Sequence, residues 1–507
     1  MEKVILGGKN TLEQVVAVAR YHAKVEFSEE YKRRVNVCRE YVEKFSREGK
    51  AIYGITTGLG DNCRKFVPEE ARVKIQRNHI LAHTVSVGEP LEEEGVRAMM
   101  FIMLLHFGSG YTGFSLKTLE LLRECLNRGI LPRVPQHGSV GYIGLEAHIG
   151  MVLIGEGKAW YEGKLYDGGE ALKRAGLKPV VLGSKEGLTI VSGTTSVTAL
   201  TCLAYYDGIT LAKTADVSGA FSLEMLKGTL QAADERIMNV RPHPGQKKTA
   251  ENIRSLLAGS EIIEKYKDYR VQDALSLRCM PQLHGAVKKA VTDGLAAIDV
   301  ELNASVDNPL IFENNGEAEA LMGCNADGTY LGMASDFLCI ALTDLAKMAE
   351  RRTDRLVNRH VSELPPFLNG SAEFNDGLMM IQYTSAGLIG EMRLLAHPAV
   401  VDNVETCANQ EDYVNMGYNA AKKAYECVKL GQYILAIELI CAAQAKEFYP
   451  DLKSSPAMEA VYQQIRQVMP AMKEDVALEP YIEEVKDLIL KGEIEKAVEN
   501  AGLTLKL

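Results

Sequence analysis

Residues able to move protons or bind charged ligands recur in short polar islands between long apolar runs. The islands are YGITTGLGDNC (53–63), QRNHILAH (76–83), GSVGYIGLEAH (138–148), VSGTTS (191–196), VQDALSLRCMPQLHG (271–285), ASVDNPLIF (304–312), GCNADGTY (323–330) and CANQEDYVNMG (407–417). Buried polar groups are costly unless paired, so this many islands in an otherwise apolar chain predict a shared pocket. Phenols, imidazoles and carboxylates in such a pocket can exchange protons, and an arginine can grip a carboxylate through two parallel hydrogen bonds. Generic motifs do not narrow the chemistry. There is no P-loop, HExxH or GxSxG, and the lone GITTGLG is too short a glycine pattern for nucleotide binding. The ten cysteines are scattered without a CxxC pair, which reads as reduced, packed thiols with no metal site.

The elements that must position these islands are mostly helices. Residues 68–129 form one amphipathic helical pattern after another, and 155–195 shifts to short strand-like runs and glycine turns. Long, nearly all-apolar helices are predicted over 195–233, 281–304, 334–357, 376–396 and 417–446. A helix apolar on most faces is buried on most faces, so the expected fold is mainly α, a large helical bundle with a smaller mixed N-terminal region. Two domains are expected, 1–195 and 196–507, the segment 450–507 being a surface helical region. Apolar residues make up 47% and charged residues 24%, enough for a large core. A net charge of -10 argues against nucleic-acid or anionic-membrane partners and for a small-molecule one. The opening residues lack a signal-peptide pattern and no stretch is long enough to span a membrane, so a cytoplasmic location is expected.

At these islands the chain resembles the aromatic amino acid lyase family, especially its histidine ammonia-lyase branch, from about residue 8 to 500. The resemblance is carried by YGITTGLG, QRNHILAH, GSVG, RPHPGQ (241–246), VQDALSLRC, DNPLIF, ERRTDRLVN (350–358), LPPFL (364–368), LLAHPA (394–399) and ANQED (408–412). It implies a homotetramer whose active sites draw on more than one subunit. It also implies roles: Tyr53 as the base that removes the β-proton, Arg278 for the substrate carboxylate, and Glu411 and His83 beside an imidazole ring.

The family eliminates ammonia with an electrophile, a methylidene-imidazolone, that cyclises from an Ala-Ser-Gly tripeptide directly after GSVG. Here Tyr142-Ile143-Gly144-Leu145-Glu146 alone separates Gly141 from Ala147, three residues fewer than the family pattern, and no precursor serine is present. Ser192 and Thr195 stand where an asparagine and a glutamine are usual, Leu275 where a tyrosine is, and Ala326 where a bulky aromatic is. The missing tripeptide argues against an ordinary ammonia-lyase or aminomutase and for a leaving group that departs unaided. The resulting expectation is a cofactor-free carbon–nitrogen lyase that releases trimethylamine from a histidine betaine, ergothioneine first and hercynine second. Its alternative is a non-catalytic homologue that binds a histidine-like metabolite. Tyr142 and Glu146, with Asp327 as an outside candidate, would face the trimethylammonium, with Ser192 beside the altered turn. The plainer readings are a helix start, with Glu146 favoured by the helix dipole, and a turn residue for Asp327.

Overall fold

The computed structural model describes residues 2–370 and 375–507. It is mainly helical, as expected, and separates into two compact units. The first comprises Met1–Tyr206, Leu295–Ser335 and Pro398–Lys422, and the second Asp207–Gly294, Asp336–His397 and Lys423–Leu507. The division differs from a single cut at 195. Four of the five crossings fall inside the long helices Thr195–Met225, Met280–Glu301, Thr329–Val357 and Gly417–Lys446, so neither unit is a continuous stretch of chain.

In the first unit, the strands Lys3–Leu6 and Lys24–Phe27 pair in parallel, alternating exposed and buried residues as a half-buried pair must. The helix Glu29–Glu48 starts where Ser28 Oγ accepts from the Tyr31 amide and ends at Gly49, whose φ of 67° suits glycine. Its apolar stripe, Cys38, Val42 and Phe45, packs with Ile52, Ile55 and Ile311 into a small core. Ile311 belongs to the hairpin Leu310–Asn314/Glu317–Leu321. This core matters for the site because Ile52 and Ile55, each at most 5% exposed, flank Tyr53 and pin its turn. The helix Glu93–Phe107 is buried from Gly95 onward, as its all-apolar run Ala98–Leu105 requires.

Three sequence expectations shift. The region 155–195 holds only the hairpin Lys158–Tyr161/Lys164–Asp167 before turning helical at Gly168–Arg174 and Glu186–Val191. The helix predicted to 233 stops at Met225, where Lys227 turns left-handed at φ 57° and Gly228 follows. The helix predicted from 376 begins at Ile381, after a turn through Gly377.

The second unit holds a buried ionic network. Glu438, fully buried, accepts from Arg352 Nε (2.5 Å) and Nη2 (3.0 Å) and from the hydroxyls of Ser218 and Ser222. Asp216 accepts from His284 Nδ1 (2.8 Å), Asn252 (2.7 Å) and Lys288 (2.5 Å). Burial pushes the Asp216 carboxyl up, but the Lys288 and His284 contacts outweigh it and hold the group below its ordinary range. Among the described residues no helix is long and apolar enough to cross a membrane, and no cluster of three His, Cys, Asp or Glu side chains could hold a metal ion.

Candidate active site

A cavity of about 950 Å³ opens in the first unit, lined entirely by residues of that unit. Seven of the eight islands meet on its wall: Tyr53 with its loop, His79 and His83, Tyr142 and Ile143, Ser192, Cys324 with Ala326, Glu411, and the island of Asn308. Asn308 itself was not singled out from the sequence. The Asn308 side-chain oxygen accepts from the Gly323 amide at 2.9 Å, tying two islands together.

The phenol oxygen of Tyr53 accepts a hydrogen bond from the Gly60 amide at 2.9 Å. Gly60 sits at φ 55° so close to the Cys407 thiol that a side-chain carbon there would have to displace it, and the left-handed backbone also favours glycine. Burial pushes the Tyr53 phenol above its ordinary range. The Gly60 amide opposes this, while Glu411, Cys407 and Cys63 add to the rise. In the free chain the phenolate is thus disfavoured, because the phenol is partly desolvated and its neighbours are acidic.

His79 and His83 lie one turn apart on the helix Arg72–His83. His83 Nδ1 lies 2.7 Å from the His79 carbonyl oxygen, which can only accept, so Nδ1 carries the proton. Nε2 of His83 is then the atom available to a ligand. Burial holds the His79 imidazole down at about 4, with His83 a second cause, so His79 is neutral at pH 7. Glu411 is fixed by a short loop in which the Thr406 amide donates to its carbonyl (2.9 Å) and the Thr406 hydroxyl to its Oε2 (3.1 Å).

The turn 138–145 is held on two sides. The Gly193 amide donates to the Tyr142 carbonyl (3.2 Å) and Ile143 bridges to Ser192, while the Met416 amide donates to the Val140 carbonyl (2.9 Å). Gly141 adopts φ 109° against the Asn415 side-chain oxygen, where no Cβ fits. The Tyr142 hydroxyl donates to Asp327 Oδ2 at 2.9 Å, and Asn415 Nδ2 donates to the same oxygen at 3.3 Å. Asp327 Oδ1 accepts from the Thr329 amide at 2.9 Å. Burial pushes the Asp327 carboxyl up, but its hydrogen bonds to Thr329, Tyr142 and Asn415 outweigh this and hold it below its ordinary range. Burial, then the Asp327 contact, raises the Tyr142 phenol.

Three expected site residues lie off the cavity wall: Asp327, which is bonded to Tyr142, and Glu146 and Arg278. Glu146 is 3% exposed and does not line the cavity; its Oε1 accepts from the Ser196 amide at 2.8 Å, capping the first turn of the helix Thr195–Met225. It serves the N-terminus of a second helix besides the first turn of its own. Arg278 belongs to the second unit, at the end of the short helix Leu275–Arg278, with Nε buried and without a partner among the described residues.

A methylidene-imidazolone does not fit this turn. Tyr142-Ile143-Gly144 offers no serine side chain to lose water, and the backbone of Tyr142 and Ile143 is committed to Gly193 and Ser192.

The aromatic amino acid lyase family matches residues 10–467. A histidine ammonia-lyase from Caldanaerobacter subterraneus subsp. tengcongensis is 42% identical over 510 residues, covering 100% of both chains. Among solved structures, histidine ammonia-lyase from Trypanosoma cruzi superposes with a TM-score of 0.92 at 33% identity, covering 98% of this chain and 95% of that one. Ergothionase from Treponema denticola, in complex with desmethyl-ergothioneine sulfonic acid, superposes with a TM-score of 0.89 at 30% identity, covering 97% and 99%. These likenesses overturn the expectation of trimethylamine release from ergothioneine, since the histidine ammonia-lyases stand nearer than the ergothionase over the full chain. The non-catalytic alternative fits them less well. The physical weakness of the expectation was that a missing tripeptide reports the loss of one electrophile and says nothing about which amine leaves; Glu146, which it placed at the amine, is committed to Ser196. With the whole length matched and the polar islands converging on one cavity, this carbon–nitrogen lyase chain belongs to the aromatic amino acid lyase family.

Proposed function

We infer that this chain eliminates ammonia from an α-amino acid bearing an imidazole ring, histidine first. The observation that carries the reading is the meeting of Tyr53, His83 and Glu411 on one cavity wall, in a chain 42% identical to a histidine ammonia-lyase over its whole length. Glu411, with one carboxylate oxygen tied to Thr406, keeps the other for a ring N–H, and His83 Nε2 offers a second ring contact. Tyr53, as phenolate, takes the proton from the substrate's Cβ. The electron pair left on Cβ is delocalised into the adjacent imidazole, which the contact with Glu411 supports, and then forms the double bond as the ammonium leaves as neutral ammonia. An amine that is already protonated needs no acid to depart. The ring-stabilised carbanion therefore carries the share of the barrier that the missing electrophile would have lowered. The Tyr53 phenol needs positive charge to ionise, and a substrate carrying an ammonium group brings it.

The wall contains the carboxylates Glu411 and Asp412, one lysine (Lys65) and no arginine. The substrate carboxylate is thus left to Arg278, supplied in this reading by another copy of the chain in a homotetramer. In support, Val271 and Leu275, in the same island as Arg278, are 100% and 61% exposed in the single chain. Exposed aliphatic side chains around a functional arginine are what a subunit interface covers.

The purified protein incubated with L-histidine is expected to release ammonia and a conjugated imidazole acrylate, followed by ultraviolet absorbance. Absence of both products sinks the reading, as does turnover confined to a histidine analogue whose nitrogen is quaternary.

A further inference from the structure

The altered turn does more than lack a serine: it presents a phenol to the cavity and fixes it from behind. Tyr142 lines the cavity, while its hydroxyl proton is committed to Asp327 Oδ2 at 2.9 Å. Asp327 is itself oriented by the Thr329 amide (2.9 Å) and by Asn415 (3.3 Å). Asn415 is in turn locked, because its side-chain oxygen accepts from the Gly417 amide at 2.8 Å and packs against Gly141 of the turn. No lysine or arginine is hydrogen-bonded or ion-paired to Asp327 among the described residues, so its charge is not neutralised within the chain. A phenol that donates to a carboxylate has its oxygen polarised, and a lone pair remains for an incoming N–H donor.

We propose that Tyr142, oriented by Asp327 and Asn415, binds the substrate's α-ammonium nitrogen through its phenol oxygen, at the place where the rest of the family carries its backbone electrophile. Tyr142 touches the substrate; Asp327 and Asn415 are positioning residues that act through it. The group recognised is a primary ammonium with N–H to donate, backed by the Asp327 charge at one remove. This assignment rests on the reading of the cavity as an amino acid site and adds to it which wall meets the amine. Glu411 and His83 then define the ring end and Tyr142 the amine end.

The test separates amine recognition from general packing. L-Histidine and its des-amino analogue 3-(imidazol-4-yl)propanoate are titrated calorimetrically into full-length Tyr53→Phe protein, in which turnover during the titration is suppressed. The same titrations are run with Tyr142→Phe and, separately, Asp327→Asn added. Tyr142→Phe is expected to weaken histidine about tenfold, the scale of one charge-assisted hydrogen bond, and to leave the des-amino analogue within about twofold. Asp327→Asn keeps an acceptor for the phenol but removes the charge, and is expected to weaken histidine about threefold, again without touching the analogue. Equal losses for both ligands would make Tyr142 a packing residue and overturn the proposal, as would unchanged histidine binding. Should Asp327→Asn misfold, Tyr142→Phe alone decides. If the unmodified protein releases no ammonia from histidine yet shows the amine-selective loss, the elimination reading falls while this one stands.

Discussion

The ionic network of the second unit and the cavity wall of the first treat their polar groups in opposite ways. In the second unit, Glu438 uses both oxygens on Arg352, Ser218 and Ser222, and Asp216 uses both on His284, Asn252 and Lys288. Both carboxylates are fully buried, and every strong donor around them is spent on the protein itself. On the cavity wall of the first unit, Tyr53 has one hydrogen-bond partner, His83 uses one ring nitrogen, and Nε2 of His79 is buried with none. A closed network holds a fold together. An under-committed one in a cavity keeps its remaining valences for a ligand.

The comparison breaks most visibly at Tyr53. Replacing it with phenylalanine removes one hydrogen bond to the Gly60 amide and the proposed base at once. The expected outcome is a loss in kcat of about 10²–10⁴ with a melting temperature changed by little. Because burial raises the Tyr53 phenol above its ordinary range and the phenolate is the proposed active form, kcat/KM of the unmodified protein should still be climbing with pH at the alkaline end of its stable range. A bell with its ascending limb near neutrality would assign the base elsewhere. The second unit should respond in the reverse manner. Arg352→Met strands a fully buried Glu438 carboxylate, and denaturant unfolding should show a loss of about 3–5 kcal/mol. A loss below about 1 kcal/mol would mean that the network is dispensable to the fold.

How far the sequence revealed this division depends on the range of the interactions. The helix Gly417–Lys446 has the bounds its composition predicts, because a largely apolar run preceded by a polar island is a local signal. The islands that line the cavity were also legible, as polar interruptions in apolar chain. What could not be read was which of their members face the cavity. Asn415 lies within the quoted CANQEDYVNMG island, yet its partner Asp327 is 88 positions away and no local pattern links the two. Glu146 looked like a first-turn residue or a ligand. Its partner is the Ser196 amide, 50 positions on, and only the folded chain shows that it also caps a second helix. Lys185 and Asp307, a buried ion pair that also engages Thr189, join the start of the helix Glu186–Val191 to the DNPLIF island across 122 positions. Nothing in either segment advertises it.

The smallest expected effect concerns acid, at a buried histidine of the first unit. His106 in the first unit is fully buried; its Nε2 donates to the Glu301 carbonyl at 3.1 Å, Nδ1 has no partner, and burial holds it down at about 4. Its folded value lies below the unfolded value of about 6.5, so the unfolded chain binds more protons between the two. The neutral form therefore contributes stability that is fully present above about pH 6.5 and drains away as pH falls toward about 4. Glu146 and Glu301, whose carboxyls burial raises, act in the other direction above the ordinary glutamate range, so the histidine contribution is best read as a difference. His106→Gln keeps a donor for the Glu301 carbonyl and removes the titration. Between pH 6.5 and about 4, denaturant unfolding should fall less steeply for the variant, by about one proton, or about 1.4 kcal/mol per pH unit at most. Asp216 in the second unit is held below its ordinary range, so its contribution survives to lower pH and does not enter that window. Identical slopes for the variant and the unmodified protein would place the acid sensitivity on groups other than His106.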